Sequence, residues 1–146
     1  MVATPLCERL SKKGKIMVKE FNSLEEIEKY YDEKANTYIF KEDDEYIDLV
    51  IFNFDLDIKA NIDACDINAR DINAWNIESC DINAININAY DIIADDINAY
   101  DIKANNIIYF AVCFAYENIK CKSIKGRREN AEHFVLDGKL EVKNNE

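Results

Sequence analysis

Residues 61–110 read NIDAC DINAR DINAW NIESC DINAI NINAY DIIAD DINAY DIKAN NIIYF, ten five-residue units without a gap. Isoleucine falls at 62, 67, 72, 77, 82, 87, 92, 97, 102 and 107, and the residue two later is Ala in eight units, Ser79 in one and Tyr109 in the last. Each unit therefore carries one large and one small apolar site. An α-helix turns about 100° per residue, so isoleucines five apart never line up as a stripe. A flat strand also fails: Ile and the Ala two later share a face, but the next Ile, five from the first, would point the other way. The chain must bend once per unit. Short extended faces joined by corners wind into a β-solenoid whose coils stack about 4.8 Å apart, with Ile and Ala lining the interior. The Asp or Asn before each Ile and the residue between Ile and Ala project outward. The variable fifth residue lies near the corner. Coils of 15 residues (three faces) and of 20 (four faces) each give two Asp-over-Asp pairs among the positions before Ile, so this test leaves both windings open.

The units resemble those of the pentapeptide-repeat family, in which a small residue, then Asp or Asn, then Leu or Phe precede two variable positions. Here Asp or Asn precedes the large residue, as at Asp66-Ile67 and Asn86-Ile87, while the small residue follows Ile by two instead of preceding it by two. The resemblance covers about a third of the chain and implies a four-sided right-handed β-helix. The region from Tyr109 to Phe134, with Cys-Phe-Ala-Tyr and Gly-Arg-Arg-Glu-Asn, is similar to prophage-borne repeat proteins and implies a phage-derived member.

Outside the repeat the pattern changes. Ser23 and Glu26 form a capping box ahead of Leu24, Ile27, Tyr30 and Tyr31, whose spacing predicts an amphipathic helix of about ten residues. TYIF at 37–40 and the alternating run at 46–58, separated by the polar KEDDE, predict two strands. Asp137-Gly138 between two apolar segments predicts a hairpin. The expected organisation is a small α+β N-terminal cap at 1–51, a solenoid at 52–126 and a C-terminal cap at 127–146. The fold class is mainly β.

The chain has 146 residues, with 18 Lys and Arg against 29 Asp and Glu, for a net charge of −11. Direct binding to nucleic acid or to anionic lipid is therefore disfavoured. No apolar run approaches the roughly 18 to 20 residues of a membrane span, and the first residues lack an apolar signal region, so a cytoplasmic location is expected. Five cysteines, at 7, 65, 80, 113 and 121, follow no zinc or disulfide spacing and read as reduced, buried thiols. No metal and no cofactor is expected.

Catalytic material is sparse, and no enzyme is expected. His133, the one histidine, sits beside Phe134 and reads as structural; no base is placed near Cys113 or Cys121. Asp95 and Asp96 form an acidic pair of the kind polysaccharide-cleaving solenoids use, in a repeat that supplies acids everywhere. Charge carries more information. Residues 57–107 hold ten acids and three bases, net −7. Carboxylates at coil spacing loosely imitate duplex phosphates, which recur every 3.4 Å or so along each strand. The expectation is a DNA-mimic inhibitor of a DNA-processing enzyme, acting through Asp66, Asp71, Asp81, Asp91, Asp95, Asp96 and Asp101 on a protein partner with a basic, DNA-binding surface. Members of the resembled family do this to a topoisomerase, and phage inhibitors do it to host defence nucleases, CRISPR-type complexes among them. The alternative is a scaffold that binds a protein or forms a homo-oligomer through its ends or through an aromatic edge of Trp75, Tyr90 and Tyr100. The basic cluster Lys120, Lys122, Lys125, Arg127 and Arg128 reads as solvated or paired.

Overall fold

The computed structural model describes residues 16–143 and is a β-solenoid of about five turns built from parallel, stacked strands. The strand register decides the winding. Ile62 pairs with Ile77, Ile77 with Ile92, and Ile92 with Ile107, steps of 15 residues. Ile67, Ile82 and Ile97 form the second column, and Ile72, Ile87 and Ile102 the third. The coil therefore has three faces, numbered here by these columns, instead of the four that the family resemblance implies. Every repeat isoleucine is buried, as is every repeat alanine, so the inward assignment holds throughout.

The stack extends beyond both expected boundaries. Val18–Phe21 pairs with Leu49–Phe52, which pairs with Asp66–Ala69 on face 2, so part of the N-terminal segment is itself solenoid. Leu24–Tyr30 forms a seven-residue 3-10 helix in place of the longer α-helix expected from the pattern. Glu26 accepts from the Asn22 backbone N–H (3.2 Å), while the Ser23 side chain caps no N–H. Ile27 and Tyr30 are buried, whereas Leu24 and Tyr31 are exposed. Tyr30 packs on Phe21 and Phe40, and Phe52 stacks on Phe21, so aromatic rings fill the first coil where the repeat would place alanine. Tyr30 also donates to Glu42 (2.9 Å), which binds Lys19 and Lys29 at 3.5 Å each. KEDDE is a tight hairpin between Lys41–Glu42 and Glu45–Tyr46, with φ of 51° and 64° at Asp43 and Asp44. Positive φ at both central residues is what a two-residue hairpin of the right twist demands, and Asp tolerates it.

At the other end the expected Asp137-Gly138 hairpin does not form. Glu132–Val135 and Leu140–Val142 each pair in parallel with the coil beneath, at Val112–Ala115 and Ile119–Cys121. Asp137-Gly138 is a corner of a further coil. Its glycine is required by close approach, since a Cβ at Gly138 would stand 1.7 Å from the Glu117 carbonyl oxygen.

Ser79 occupies the alanine site of its unit, is fully buried, and its Oγ has no hydrogen-bond partner among the described residues. A hydroxyl desolvated without compensation costs about 1–3 kcal/mol. Ser79→Ala is expected to raise stability by about 1 kcal/mol, read as a higher urea midpoint with an unchanged slope. A lower midpoint would show that the hydroxyl is held by a bond absent from this structure.

Candidate functional site: an acidic corner

The positions before each isoleucine stack into three ladders of different character. On face 1 the column is Asn61, Asn76, Asp91, Asn106 and Ser123; on face 3 it is Asp71, Asn86, Asp101 and Asn118. On both, each aspartate has an amide in the coil above it and bonds along the stack: the Asn86 side-chain amide donates to Asp71 (2.8 Å), that of Asn106 to Asp91 (2.9 Å) and that of Asn118 to Asp101 (3.1 Å). Asp71, Asp91 and Asp101 thus have partners within the coil stack.

Face 2 differs. Its column is Asp66, Asp81 and Asp96, three aspartates in consecutive coils with no amide between them. Each carboxylate takes a backbone N–H from the coil above, Asp81 N to Asp66 at 3.2 Å and Val112 N to Asp96 at 3.0 Å. These bonds do not remove the mutual repulsion. Burial, with Asp48 and Asp95 nearby, raises the Asp66 carboxyl; burial together with Asp66, Asp96 and Asp95 pushes Asp81 up to about 6. Asp63 and Glu78, in register on face 1, flank the same corner and line an open depression of about 450 Å³ with Asp91. The acidic surface is therefore concentrated where faces 1 and 2 meet. Asp95 is no part of that surface: it is only 4% exposed, buried at the corner above Cys80.

The aromatic residues do not form one edge. Trp75 stacks on Tyr90 (6.1 Å between centroids) at the corner between faces 3 and 1, whereas Tyr100 stacks on Tyr116 (5.2 Å) at the corner between faces 2 and 3, in the coil above Ile85. A stack of three corners assigns every third unit to the same edge, which separates 75 and 90 from 100. Basic residues gather elsewhere: Lys103, Lys120, Lys122 and Lys143 surround a shallow 310 Å³ depression on face 3 with Glu141. No family model matches this chain, and no curated protein or solved structure matches it. Among the described residues no helix is long and apolar enough to cross a membrane.

The cysteine and histidine near the C-terminal end offer no activated nucleophile. Cys113 lies beneath His133 in register, but burial pushes its thiol up to about 12. His133 Nδ1 is engaged by the Tyr109 hydroxyl at 2.7 Å, and burial pushes that phenol up to about 12 as well. Thiol and phenol are both held in their protonated forms at neutral pH.

The Asp81 shift has a consequence for stability. A carboxyl whose folded-state pKa is raised, here from 3.8 to about 6, favours the native state most when protonated. That contribution is present below about pH 4 and is lost as pH rises through 6. In metal-free protein Asp81→Asn is therefore expected to raise the thermal midpoint at pH 7 and to flatten its dependence between pH 4 and 7. No difference between variant and parent at pH 7 would mean that solvent screens the column fully.

Proposed function

We propose that the chain is a non-enzymatic acidic binding protein, a three-sided relative of pentapeptide-repeat solenoids, that docks its corner between faces 1 and 2 into the basic groove of a DNA-processing enzyme. A topoisomerase or a host defence nuclease is the class of partner such a surface suits, in the cytoplasm and in a phage setting. The observation that carries the reading is the uninterrupted Asp66–Asp81–Asp96 column with Glu78 beside it. Carboxylates stacked at about 4.8 Å and repelling one another gain more from a cationic partner than the amide-bonded aspartates of faces 1 and 3 do. Partners retained by the immobilised chain from host lysate should elute with added salt and with duplex DNA. Replacing Asp66, Asp81 and Asp96 together by Asn should weaken retention by about 100-fold or more while leaving the circular dichroism unchanged, because Asn already fills the equivalent sites on faces 1 and 3. Undiminished retention by this variant sinks the proposal.

A second reading, an end-to-end scaffold, is favoured by one feature. Among the described residues, the final coil leaves Phe134, Leu136, Leu140 and Val142 exposed. Under that reading sedimentation shows concentration-dependent association that salt does not weaken, and Leu136→Lys with Val142→Lys abolishes it.

A further inference from the structure

The three corners carry different chemistry. One holds Arg70, Ile85 and Tyr100, another Trp75, Tyr90 and Asn105, and the third, between faces 1 and 2, holds Cys65, Cys80 and Asp95 in successive coils. Both thiols are buried, with sulfurs 3.3 Å apart, and the Asp66 carboxylate lies 4.0 Å from the Cys65 sulfur. One donor atom from each of Cys65, Asp66 and Cys80 falls within 4.8 Å of the others. The backbone beneath them is fixed: Cys80 N–H donates to the Cys65 carbonyl (3.1 Å) and Asp95 N–H to the Cys80 carbonyl (2.6 Å).

We propose that Cys65, Asp66 and Cys80 bind a thiophilic divalent cation of the zinc class. Tetrahedral zinc with bonds to sulfur of about 2.3 Å sets its sulfurs about 3.8 Å apart, so the pair needs to open by only about half an ångström. A water fills the fourth position. Two thiolates exclude calcium and magnesium, which take oxygen donors, and select a softer ion. Charge argues the same way. A dication meets two thiolates and a carboxylate in a corner that already crowds Asp66, Asp81 and Asp95, and it offsets the repulsion those groups exert on one another. Uptake breaks two S–H bonds and releases two protons to solvent as two metal–sulfur bonds form. Cys113 and Cys121 lie on faces 2 and 3 and belong to no comparable grouping among the described residues. The spacing reading that expects no metal does not weigh this grouping, because residues 15 apart become neighbours only once the coil length is known.

The test uses the full chain, reduced and stripped with chelator, titrated with Co²⁺ and then Zn²⁺. One Co²⁺ per chain should give thiolate-to-cobalt charge-transfer absorption, Zn²⁺ should displace it, and stoichiometric Zn²⁺ should raise the thermal midpoint. Cys65→Ser and Cys80→Ser should each weaken Zn²⁺ binding about 100-fold or more, Asp66→Asn about 10-fold, and Cys113→Ser not at all. Should a serine variant fail to fold, alkylation of the parent decides: Zn²⁺ should protect Cys65 and Cys80, mapped by peptide mass, and leave Cys113 and Cys121 unchanged. Absence of the cobalt band, equal affinity in a folded Cys65→Ser/Cys80→Ser double variant, or no selective protection overturns the site. Retention of the partner is read on chelator-stripped protein and with Asp81→Asn/Asp96→Asn, which leaves all three ligands in place, so either proposal can fail alone.

Discussion

Ile82→Asp is expected to unfold the solenoid or bring it to the edge of unfolding. Ile82 is 1% exposed and lies between Ile67 and Ile97 in the middle of the face 2 column. The substitution removes a buried side chain, worth about 2–5 kcal/mol with its cavity, and leaves a carboxyl with no partner in the apolar interior. A loss of about 4 kcal/mol or more is comparable with the whole stability of a domain this size. Position matters as well as chemistry. In a solenoid each coil is stabilised by its two neighbours, so a defect in a central coil uncouples the halves on either side. The control is Asn83→Asp, one residue along, where Asn68, Asn83 and Asn98 form an exposed column and the cost should stay within about 0.5 kcal/mol. Urea unfolding followed by circular dichroism separates the two. Equal tolerance at 82 and 83 would refute the inward assignment of isoleucine.

The inward residues are legible in the sequence because a period of five is incompatible with both helix and flat strand, and only a bend per unit places Ile and Ala inside together. The number of faces is less plain. Counting Asp-over-Asp pairs ties at two for either winding, yet at 15 residues both pairs fall in one continuous column, Asp66–Asp81–Asp96. Corner residues carry the better signal: a step of 15 sets Cys65 under Cys80 and Trp75 under Tyr90, like on like, where a step of 20 sets Cys65 under Ile85 and Trp75 under Asp95. The Asp137-Gly138 corner was not separable from a hairpin by composition, since both use a residue without a Cβ; only the Glu117 carbonyl beneath Gly138 distinguishes them. Burial of Asp95 is likewise invisible in a repeat where Arg70, Trp75, Ile85, Tyr90 and Tyr100, at the same position of their units, are exposed. The acidic corner became a site only when the winding brought Glu78 and the aspartate column to one edge.

Ala84→Leu is expected to destabilise by about 3 kcal/mol, although it replaces one apolar residue by another. Ala84 is buried in the small-residue column of face 2, with Ala69 in the coil below and Ala99 in the coil above. The coil cannot widen to admit three further carbons, because its corners are tied to their neighbours: Ile85 N–H donates to the Arg70 carbonyl (2.8 Å) and Tyr100 N–H to the Ile85 carbonyl (2.9 Å). The chain shows what a large residue at such a site demands. Tyr109 stands at the small site of the last repeat unit, and just after it the pairing offset grows from 15 (Ala94 with Tyr109) to 16 (Asp96 with Val112). The coil gains a residue at that corner, and above the ring the column places Gly126, where a Cβ would come within 3.1 Å of Tyr109. Ala84→Leu has neither accommodation. Pairing it with Ala99→Gly supplies the second, so the double variant should recover part of the loss despite the intrinsic cost of glycine in a strand. A cycle in which the two changes add without recovery would show that crowding between coils is not what limits the small site, and an unchanged midpoint for Ala84→Leu alone would mean that the interior is looser than the stacked alanines indicate.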